Sequence, residues 1–456
     1  MARKRLERTS IRPVKERVED ELLRRPGVNG VDINEKVTDG RPTGELAIVV
    51  YVDEKKPKSA LSKAELIPAE IDGVPTDVQV EKVVLQAAFG AIADIEPLID
   101  TTKYLQVHGG ISMGPCRSVF LEPPDVPSPG NYIFAGTLGA IVRDRSTGAT
   151  MALTNFHVAC VDDSWSAGDT MAQPSRLDGG SCPVDRFGVL TRAALSDNVD
   201  GAVVTIDAGK TTDCSIEEIG AVRGQALATV GMAVRKRGRT TELTFGTVDS
   251  LDATVSIDYG DGLGVHTLKK QIRIVPDSAH NARFSDHGDS GSVVVTDDNN
   301  VVGLLFAGSN SGSATYANPI QVALDELNVN LCVKPKILLT VPVICDTVIT
   351  KPIVCIQTKP VVCNLVTKKV ICEILTAPIV CKIQTLACPK ITLACPPVSL
   401  ACGFDPGGRT RSHESGTAEA TGATYGRPGE SIDDAFWLGY YAALEALAEA
   451  EQADQE

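Results

Sequence analysis

Three polar residues of this 456-residue chain have the types that nucleophilic catalysis requires: a serine, a histidine and an aspartate. The serine is Ser290, in the Gly-Asp-Ser-Gly segment Gly288–Gly291. Small and polar residues in such a run favour a tight bend, which exposes the hydroxyl and turns backbone N–H groups outward. A neutral serine needs a base within hydrogen-bond reach and an acid that orients the base. His157 and Asp200, each beside an apolar run, are the candidates for these roles.

The chain order is histidine, aspartate, serine, which among the known orders of such a triad is that of the chymotrypsin fold. Four short segments resemble motifs of that family, the last two of them in its streptogrisin-like bacterial branch: Thr154–His157, Asn198–Asp200, Arg237–Thr241 and Gly246–Val248. Residues 105–330 therefore resemble a trypsin-like serine protease. The whole layout, with its small N-terminal domain, is similar to the intracellular narrow-leaf type of plant and bacterial proteins.

The resemblance implies a role for each matched residue. Ser290 would attack the scissile carbonyl, and His157 would carry the proton to the leaving amine. Asp200 would hold the imidazole tautomer, and the amides of Gly288 and Ser290 would form the oxyanion hole. Asp197 is the rival for the role of the acid, but Asp200 is the aspartate that lies directly before an apolar run.

Asp289 requires a partner if its carboxylate is buried, because an unpaired buried charge is costly. In the digestive branch of the family, an aspartate here pairs with an amino terminus made by cleavage. In the streptogrisin-like branch, a cation of the Arg-Thr-Thr segment takes that role. Aligned on this segment, the cation position falls on Lys236. We therefore expect a Lys236–Asp289 activation pair and activity without cleavage; the alternative is that the basic run faces solvent.

The same resemblance locates the primary substrate pocket. Its base would be Phe284, six residues before the serine, and its walls would come from Phe306, Ala307 and Gly308. A phenylalanine at the base, with no acid, disfavours Arg and Lys and favours small or apolar side chains in the pocket. His287 fits the lining of the pocket and a plain surface position equally well.

Bulk composition excludes several classes of protein. The net charge of −14 argues against a dominant nucleic-acid surface. No stretch reaches about 18 apolar residues, so we expect no membrane-spanning helix. Residues 1–25 lack the apolar run of a secretory signal peptide. In the secreted bacterial members of the family that the chain resembles, a disulfide pair flanks the Arg-Thr-Thr segment, whereas this chain has Arg235 and Phe245 at those positions. These features favour a cytoplasmic location.

The elements that must position the site are mainly β, because forty glycines separate many short Val/Ile runs. In the first part, the pattern predicts a helix over 12–25 and strands over 30–34, 45–53 and 77–85. We expect the following parts: a small α+β regulatory or assembly domain over 1–100, a chymotrypsin-like double β-barrel over 101–330, a Cys-containing short-period β-repeat over 331–403, a disordered linker over 404–429 and an acidic amphipathic helix over 430–456.

Thirteen cysteines are present, and nine of them lie between Cys332 and Cys402. The odd number favours a reducing compartment with mostly free thiols. Zinc ligands are usually paired two to four residues apart, whereas the repeat cysteines recur about every seven to ten residues. A metal site, or disulfides between neighbouring repeat units, is therefore less favoured than buried free cysteines on stacked strands. We expect no metal and no cofactor.

The leading interpretation is an intracellular serine endopeptidase that acts on protein or peptide substrates. The apolar repeat suits a homo-oligomer, and the C-terminal helix could dock a partner. One alternative is a catalytically idle protease-like scaffold or oligomeric interaction protein organised by the repeat. The intact triad disfavours this alternative. The other is an esterase with the same triad, which the sequence does not distinguish from a protease.

Overall fold

The computed structural model describes residues 6–91, 99–123, 126–260 and 262–334, together with three short strands further on. The chain divides into two compact units, Met1–Lys336 and Ile337–Glu456. The predicted linker over 404–429 and helix over 430–456 lie outside the described residues, as does most of the repeat.

The first unit is mainly β, which confirms the mainly β class expected from the sequence. Its helices are α1 (Arg8–Leu23), α2 (Phe156–Ala159) and α3 (Ile320–Glu326), with two short 3-10 helices at Lys58–Ala60 and Arg176–Asp178. Its strands, in chain order, are β1 (Val28–Thr38), β2 (Arg41–Val52), β3 (Glu70–Ile71), β4 (Val74–Val80), β5 (Val83–Leu85), β6 (Ala88–Ala91), β7 (Gln106–Gly109), β8 (Ile111–Pro115), β9 (Val119–Leu121), β10 (Gly130–Leu138), β11 (Ala140–Asp144), β12 (Thr150–Thr154), β13 (Thr170–Ala172), β14 (Arg186–Leu195), β15 (Asp200–Ile206), β16 (Thr211–Ile216), β17 (Gly220–Ala221), β18 (Gly224–Gln225), β19 (Ala233–Gly238), β20 (Glu242–Asp258), β21 (Val265–Pro276), β22 (Val293–Val295), β23 (Asn300–Ser309), β24 (Thr315–Pro319) and β25 (Val329–Leu331).

One closed ring of strands follows the order β8-β13-β14-β15-β12 and returns through β11 and β10. The strand formed by β10 and β11 is continuous through Gly139, pairing with β8 before that residue and with β12 after it. A Cβ at Gly139 would lie 2.1 Å from the carbonyl oxygen of Gly291. The missing side chain therefore lets this ring approach the segment that carries Ser290.

A second closed ring has the order β19-β22-β23-β24-β21-β20, and β20 pairs back with β19. Its interior holds a buried apolar cluster that includes Val248, Ile274, Phe284 and Leu305. Because the ring is closed, none of its strands is an edge strand along its whole length, although the ends of longer strands extend past their neighbours. The segment between β21 and β22, which contains Ser290, is consequently fixed at both ends.

The N-terminal strands extend the second ring rather than forming a separate sheet. β1 pairs with β20, at Gly30 with Val255 and at Val31 with Thr254, and the order continues through β2, β4 and β3. Helix α1 covers this layer and buries Ile11 and Leu22. The helix begins at Arg8, four residues earlier than predicted, because the Arg8 guanidinium donates to the carbonyl oxygen of Asp249 and holds an extra turn.

Four of the five cysteines in the described part of the first unit form disulfides, Cys116–Cys182 and Cys214–Cys332. Cys160 is free and buried. The expectation of mostly free thiols is therefore wrong for this unit. The pairs are separated by 66 and 118 residues, so local spacing gave no sign of them. The cytoplasmic location stays a prediction, and disulfides of this kind persist in oxidising compartments.

The second unit contains three described strands: β26 (Val343–Cys345), β27 (Val361–Cys363) and β28 (Ile379–Cys381). They pair in parallel, and positions 345, 363 and 381 share one register position. The repeats that end at positions 355 and 372 fall between these strands in the sequence. Alternate repeats therefore pair with each other.

None of the helices in the described ranges is long and apolar enough to cross a membrane.

We predict that Asp32 makes stability depend on pH. Burial raises the pKa of Asp32 to about 6, although a hydrogen bond from Ser250 opposes the shift. Because the pKa of Asp32 is higher in the folded than in the unfolded state, its protonation stabilises the fold. This contribution is fully present at pH values below the unfolded pKa and is lost as the pH rises through about 6. Between pH 4 and 7.5 the free energy of unfolding should fall by about 2 kcal/mol through this group. Asp32→Asn should lack that fall in urea unfolding, whereas the exposed control Asp39→Asn should retain it. Parallel profiles for wild type and Asp32→Asn would contradict the prediction.

Candidate active site

The structure brings His157 and Asp200 together through two paired strands. His157 lies in α2 directly after β12, and Asp200 opens β15, which pairs with β12 at Thr154 and Ala202. The His157 Nδ1 lies 2.5 Å from the Asp200 Oδ2, and the His157 backbone N–H donates to the Oδ1 at 3.3 Å. Asn155 donates its side-chain amide to the Asp200 carbonyl at 2.7 Å. The imidazole is therefore held by a buried carboxylate, whereas the rival Asp197 is exposed.

Tyr259, which sequence reasoning missed, also contacts this carboxylate. Its hydroxyl donates to the Asp200 Oδ2 at 2.8 Å. Burial and the neighbouring carboxylate raise the pKa of Tyr259, so that its hydroxyl remains a donor. The backbone N–H of Asp200 donates to the Asn318 side chain at 3.2 Å. Tyr259 directly follows β20 in the other ring, and no local motif marks it.

The Ser290 loop is shaped by glycines and tied to the first ring. Gly288 and Gly291 have φ values of +101° and +96°, a region that side chains other than glycine rarely adopt. Thr137 of β10 donates its N–H to the Ser290 carbonyl at 2.7 Å and its hydroxyl to the Gly288 carbonyl at 2.9 Å. The Ser290 hydroxyl donates to the Phe306 carbonyl at 3.0 Å. The His157 Nε2 has no hydrogen-bond partner among the described residues.

The backbone N–H groups of Gly288 and Ser290 converge on one oxygen. Both donate to the carbonyl of Gln86, at 2.6 Å and 3.4 Å respectively. Two convergent amides of this kind can stabilise negative charge on a carbonyl oxygen. The oxygen that they hold belongs to an N-terminal segment that sequence reasoning did not connect with the site.

Asp289 is fully buried, and its carboxylate accepts several hydrogen bonds. The donors are the N–H groups of Thr240, Thr241 and Asp286 and the Thr241 hydroxyl. Lys236 is also fully buried, and its Nζ lies 3.5 Å from the Asp289 Oδ2. Burial lowers the pKa of Lys236, and the charge of Asp289 opposes this shift. The basic run therefore does not face solvent at Lys236.

The expected pocket residues occupy different surroundings. Phe284 is buried in the apolar cluster of the second ring, with the Lys236 Nζ 5.9 Å from its ring centroid. Phe306 and Ala307 belong to another buried cluster with Tyr316. His287 is exposed, and its Nδ1 lies 3.2 Å from the Ala87 carbonyl oxygen.

Gly308 contacts the side chain of Gln86, since a Cβ at Gly308 would lie 2.2 Å from the Gln86 Nε2. Gly308 therefore lies directly against the Gln86 side chain.

Other nucleophiles and metals find no support in the described part of the chain. Burial, and the nearby charge of Asp200, raise the pKa of the Cys160 thiol, which disfavours a thiolate nucleophile. Within the described ranges, no group of three or more His, Cys, Asp or Glu side chains is placed to hold a metal ion.

Comparison with known proteins gives several relatives, although no protein-family model matches the chain. The chain is 31% identical over 175 residues to Serine protease 2 of Streptomyces fradiae, covering 38% of this chain and 80% of that protein. It is 27% identical over 212 residues to Serine protease 1 of the same organism, covering 44% of this chain and 51% of that protein. The chain thus spans about half the length of Serine protease 1. Among solved structures, Protease A of Thermobifida fusca is 20% identical, covering 50% of this chain and 100% of that one, with a TM-score of 0.35.

We predict that removing the Lys236 charge destabilises the protein. Lys236→Met should lower the free energy of unfolding by about 3 kcal/mol, because the buried Asp289 carboxylate loses its cation but keeps its hydrogen bonds. The matched control is Lys103→Met, which breaks a 2.7 Å pair with Asp185 whose lysine is 59% exposed and should cost less than about 1 kcal/mol. Equal effects of the two variants in urea unfolding would show that the Lys236–Asp289 pair is not important for stability.

Proposed function

Because the chain belongs to the trypsin-like serine protease family, we propose that it is a serine endopeptidase with Ser290 as its nucleophile. His157 acts as the general base and Asp200 orients the imidazole. Gly288 and Ser290 provide the oxyanion hole, and Lys236 with Asp289 keeps that loop in its active shape. The substrates proposed are proteins or peptides.

The chemistry follows from the chain's own groups. The Ser290 hydroxyl leaves its contact with Phe306, turns to the His157 Nε2 and attacks the substrate carbonyl. The proton passes through His157 to the departing amine, which leaves an ester on Ser290. Water, deprotonated by His157, then hydrolyses this ester and restores the serine. Asp200 and Tyr259 hold the imidazole while it carries the positive charge.

One observation carries the proposal: the N–H groups of Gly288 and Ser290 converge on a peptide carbonyl oxygen. Two amides that point at one carbonyl oxygen beside Ser290 support acyl transfer over a scaffold without activity. An esterase would use the same donors, but here the carbonyl they hold belongs to a peptide bond. The predicted homo-oligomer and partner docking on the C-terminal helix depend on other parts of the chain and stay predictions.

A fluorophosphonate probe tests this function, because it reacts only with an activated serine. It should label the wild type at Ser290 and leave Ser290→Ala unlabelled, as determined by peptide mass spectrometry. Wild-type protein that has not been treated with the probe should cleave a peptide library, whereas an esterase would not. If no Ser290-dependent labelling is found before or after limited proteolysis of the chain, the enzyme assignment is wrong.

We predict that Tyr259 is a positioning residue for His157. Tyr259→Phe removes a hydrogen bond to a charged carboxylate, worth about 1.5–3 kcal/mol, so kcat should fall by about tenfold to a hundredfold. KM should stay unchanged because Tyr259 holds Asp200 and not the substrate. The control is Tyr51→Phe, which removes a 3.4 Å contact with Asp32 in the N-terminal layer. A rise in KM with constant kcat would argue against this role.

A further inference from the structure

The N-terminal segment Val83–Ala91 crosses the cleft in an extended conformation. On one side of the nucleophile, β5 pairs antiparallel with β23, and the partners are Val83 with Ser309, Val84 with Gly308 and Leu85 with Ala307. On the other side, β6 pairs antiparallel with β10, where Phe89 lies opposite Phe134. Both halves use edges of the rings that would otherwise be free to pair with a peptide. The segment therefore binds by strand addition on both sides of Ser290.

Gln86 lies between the two halves, directly at the reacting groups. Its carbonyl oxygen accepts from the Gly288 and Ser290 amides, and its N–H donates to the Phe306 carbonyl at 3.3 Å. The same Phe306 oxygen accepts the Ser290 hydroxyl at 3.0 Å. The peptide carbonyl of Gln86 thus lies in the position of a bond about to be attacked.

The side chain of Gln86 is enclosed, with 3% of the residue exposed. Gly308 makes room for it, since any Cβ there would clash with the Gln86 amide. The contact that encloses it is with the backbone of Gly308, which carries no charge, and the Gln86 Oε1 has no hydrogen-bond partner among the described residues. Leaving one amide oxygen unpaired costs less than burying a lysine or arginine there without a counter-charge, so an uncharged side chain such as glutamine is favoured over a basic one.

We infer that Val83–Ala91 is a substrate of the chain's own active site, that Gln86–Ala87 is the scissile bond and that the primary pocket accepts glutamine. This inference rests on the proposed function and replaces the expected preference for small or apolar side chains. His287, whose Nδ1 faces the Ala87 carbonyl, contacts the leaving half.

The reaction consumes one water molecule. The Ser290 Oγ bonds to the Gln86 carbonyl carbon, the bond from this carbon to the Ala87 nitrogen breaks, and the Ser290 proton passes through His157 to that nitrogen. Water then adds to the acyl carbon and releases the serine. The products are a chain ending in the Gln86 carboxylate and a chain beginning with the Ala87 amine.

Cleavage here would clear the cleft and would not build the oxyanion loop. The cation that neutralises Asp289 is already present as Lys236 in the uncut chain. The expected Lys236–Asp289 pair is thus present without cleavage, but the expected activity without cleavage would extend to other peptides only after the segment has left the site.

The test follows purified full-length chain by intact-mass spectrometry over time. Wild type should yield two fragments that meet at Gln86 and Ala87, at a first-order rate independent of protein concentration, and Ser290→Ala should stay intact. Gln86→Lys should slow cleavage at least tenfold, whereas the matched change Gln225→Lys at an exposed glutamine outside the cleft should not. A rate proportional to protein concentration, cleavage at another bond or equal rates for Gln86→Lys and wild type would overturn the inference.

A second variant separates failure of this inference from failure of the proposed function. Val83→Asp places a charge in the buried cluster that holds β5, which should release the segment and increase fluorophosphonate labelling of Ser290. Labelling of Val83→Asp with no cleavage in wild type would refute self-cleavage and leave the serine protease assignment intact. No labelling in either protein would instead refute the proposed function. A synthetic peptide of residues 82–91 should be cut by Val83→Asp after glutamine, at least tenfold faster than the same peptide with lysine there.

Discussion

The buried carboxylate of Asp289 is the interaction on which the geometry of the site depends. A buried carboxylate without partners would cost several kcal/mol, so the chain around it is arranged to supply them. Lys236 provides the charge, and the turn at Thr240 and Thr241 provides N–H and hydroxyl donors. Gly238 is required beside it, since a Cβ there would lie 2.5 Å from the Asp289 Oδ1. The nucleophile loop and the β19–β20 turn thus form one unit.

This unit is joined to the first ring by polar contacts that cross between the rings. The Arg239 guanidinium donates twice to the Asp178 carboxylate, each bond 2.6 Å, and both side chains are buried. The Arg239 N–H donates to the Thr137 hydroxyl, which itself donates to the Gly288 carbonyl. Bidentate charged hydrogen bonds of this type fix orientation as well as distance. The position of Ser290 relative to His157 is therefore set by a network and not by one strand.

Sequence reasoning located residues where a local pattern carries the information. The motifs around His157, Asp200 and Ser290 are short, and Lys236 was found because it lies at a fixed distance from the Arg-Thr-Thr run. The contact of Tyr259 with Asp200 depends on how β20 of one ring faces β15 of the other, which no local pattern encodes. The two disulfides were not predicted for the same reason, since their cysteines lie 66 and 118 residues apart in the sequence.

Gln86 was missed because Val83–Leu85 reads as an ordinary apolar strand. This strand pairs with the end of β23, which lies more than 200 residues further along the chain. A pairing of this kind becomes visible only when the rings have closed and one edge beside the nucleophile remains unpaired.

The occupied cleft gives the N-terminal layer a direct influence on the site. Just before the segment, Glu81 accepts from the Arg273 guanidinium at 2.6 Å, and both side chains are buried, so the start of the segment is anchored. A tethered strand competes with free peptides at an effective concentration near the millimolar range. Cutting after Gln86 would break the covalent link between β5 and β6, but β6 would stay in the downstream fragment, paired with β10, and β5 would stay attached through Glu81 as a bound product. Access for other substrates therefore depends on how tightly the layer formed by β1, β2 and β4 holds β5 as well as on the cut itself.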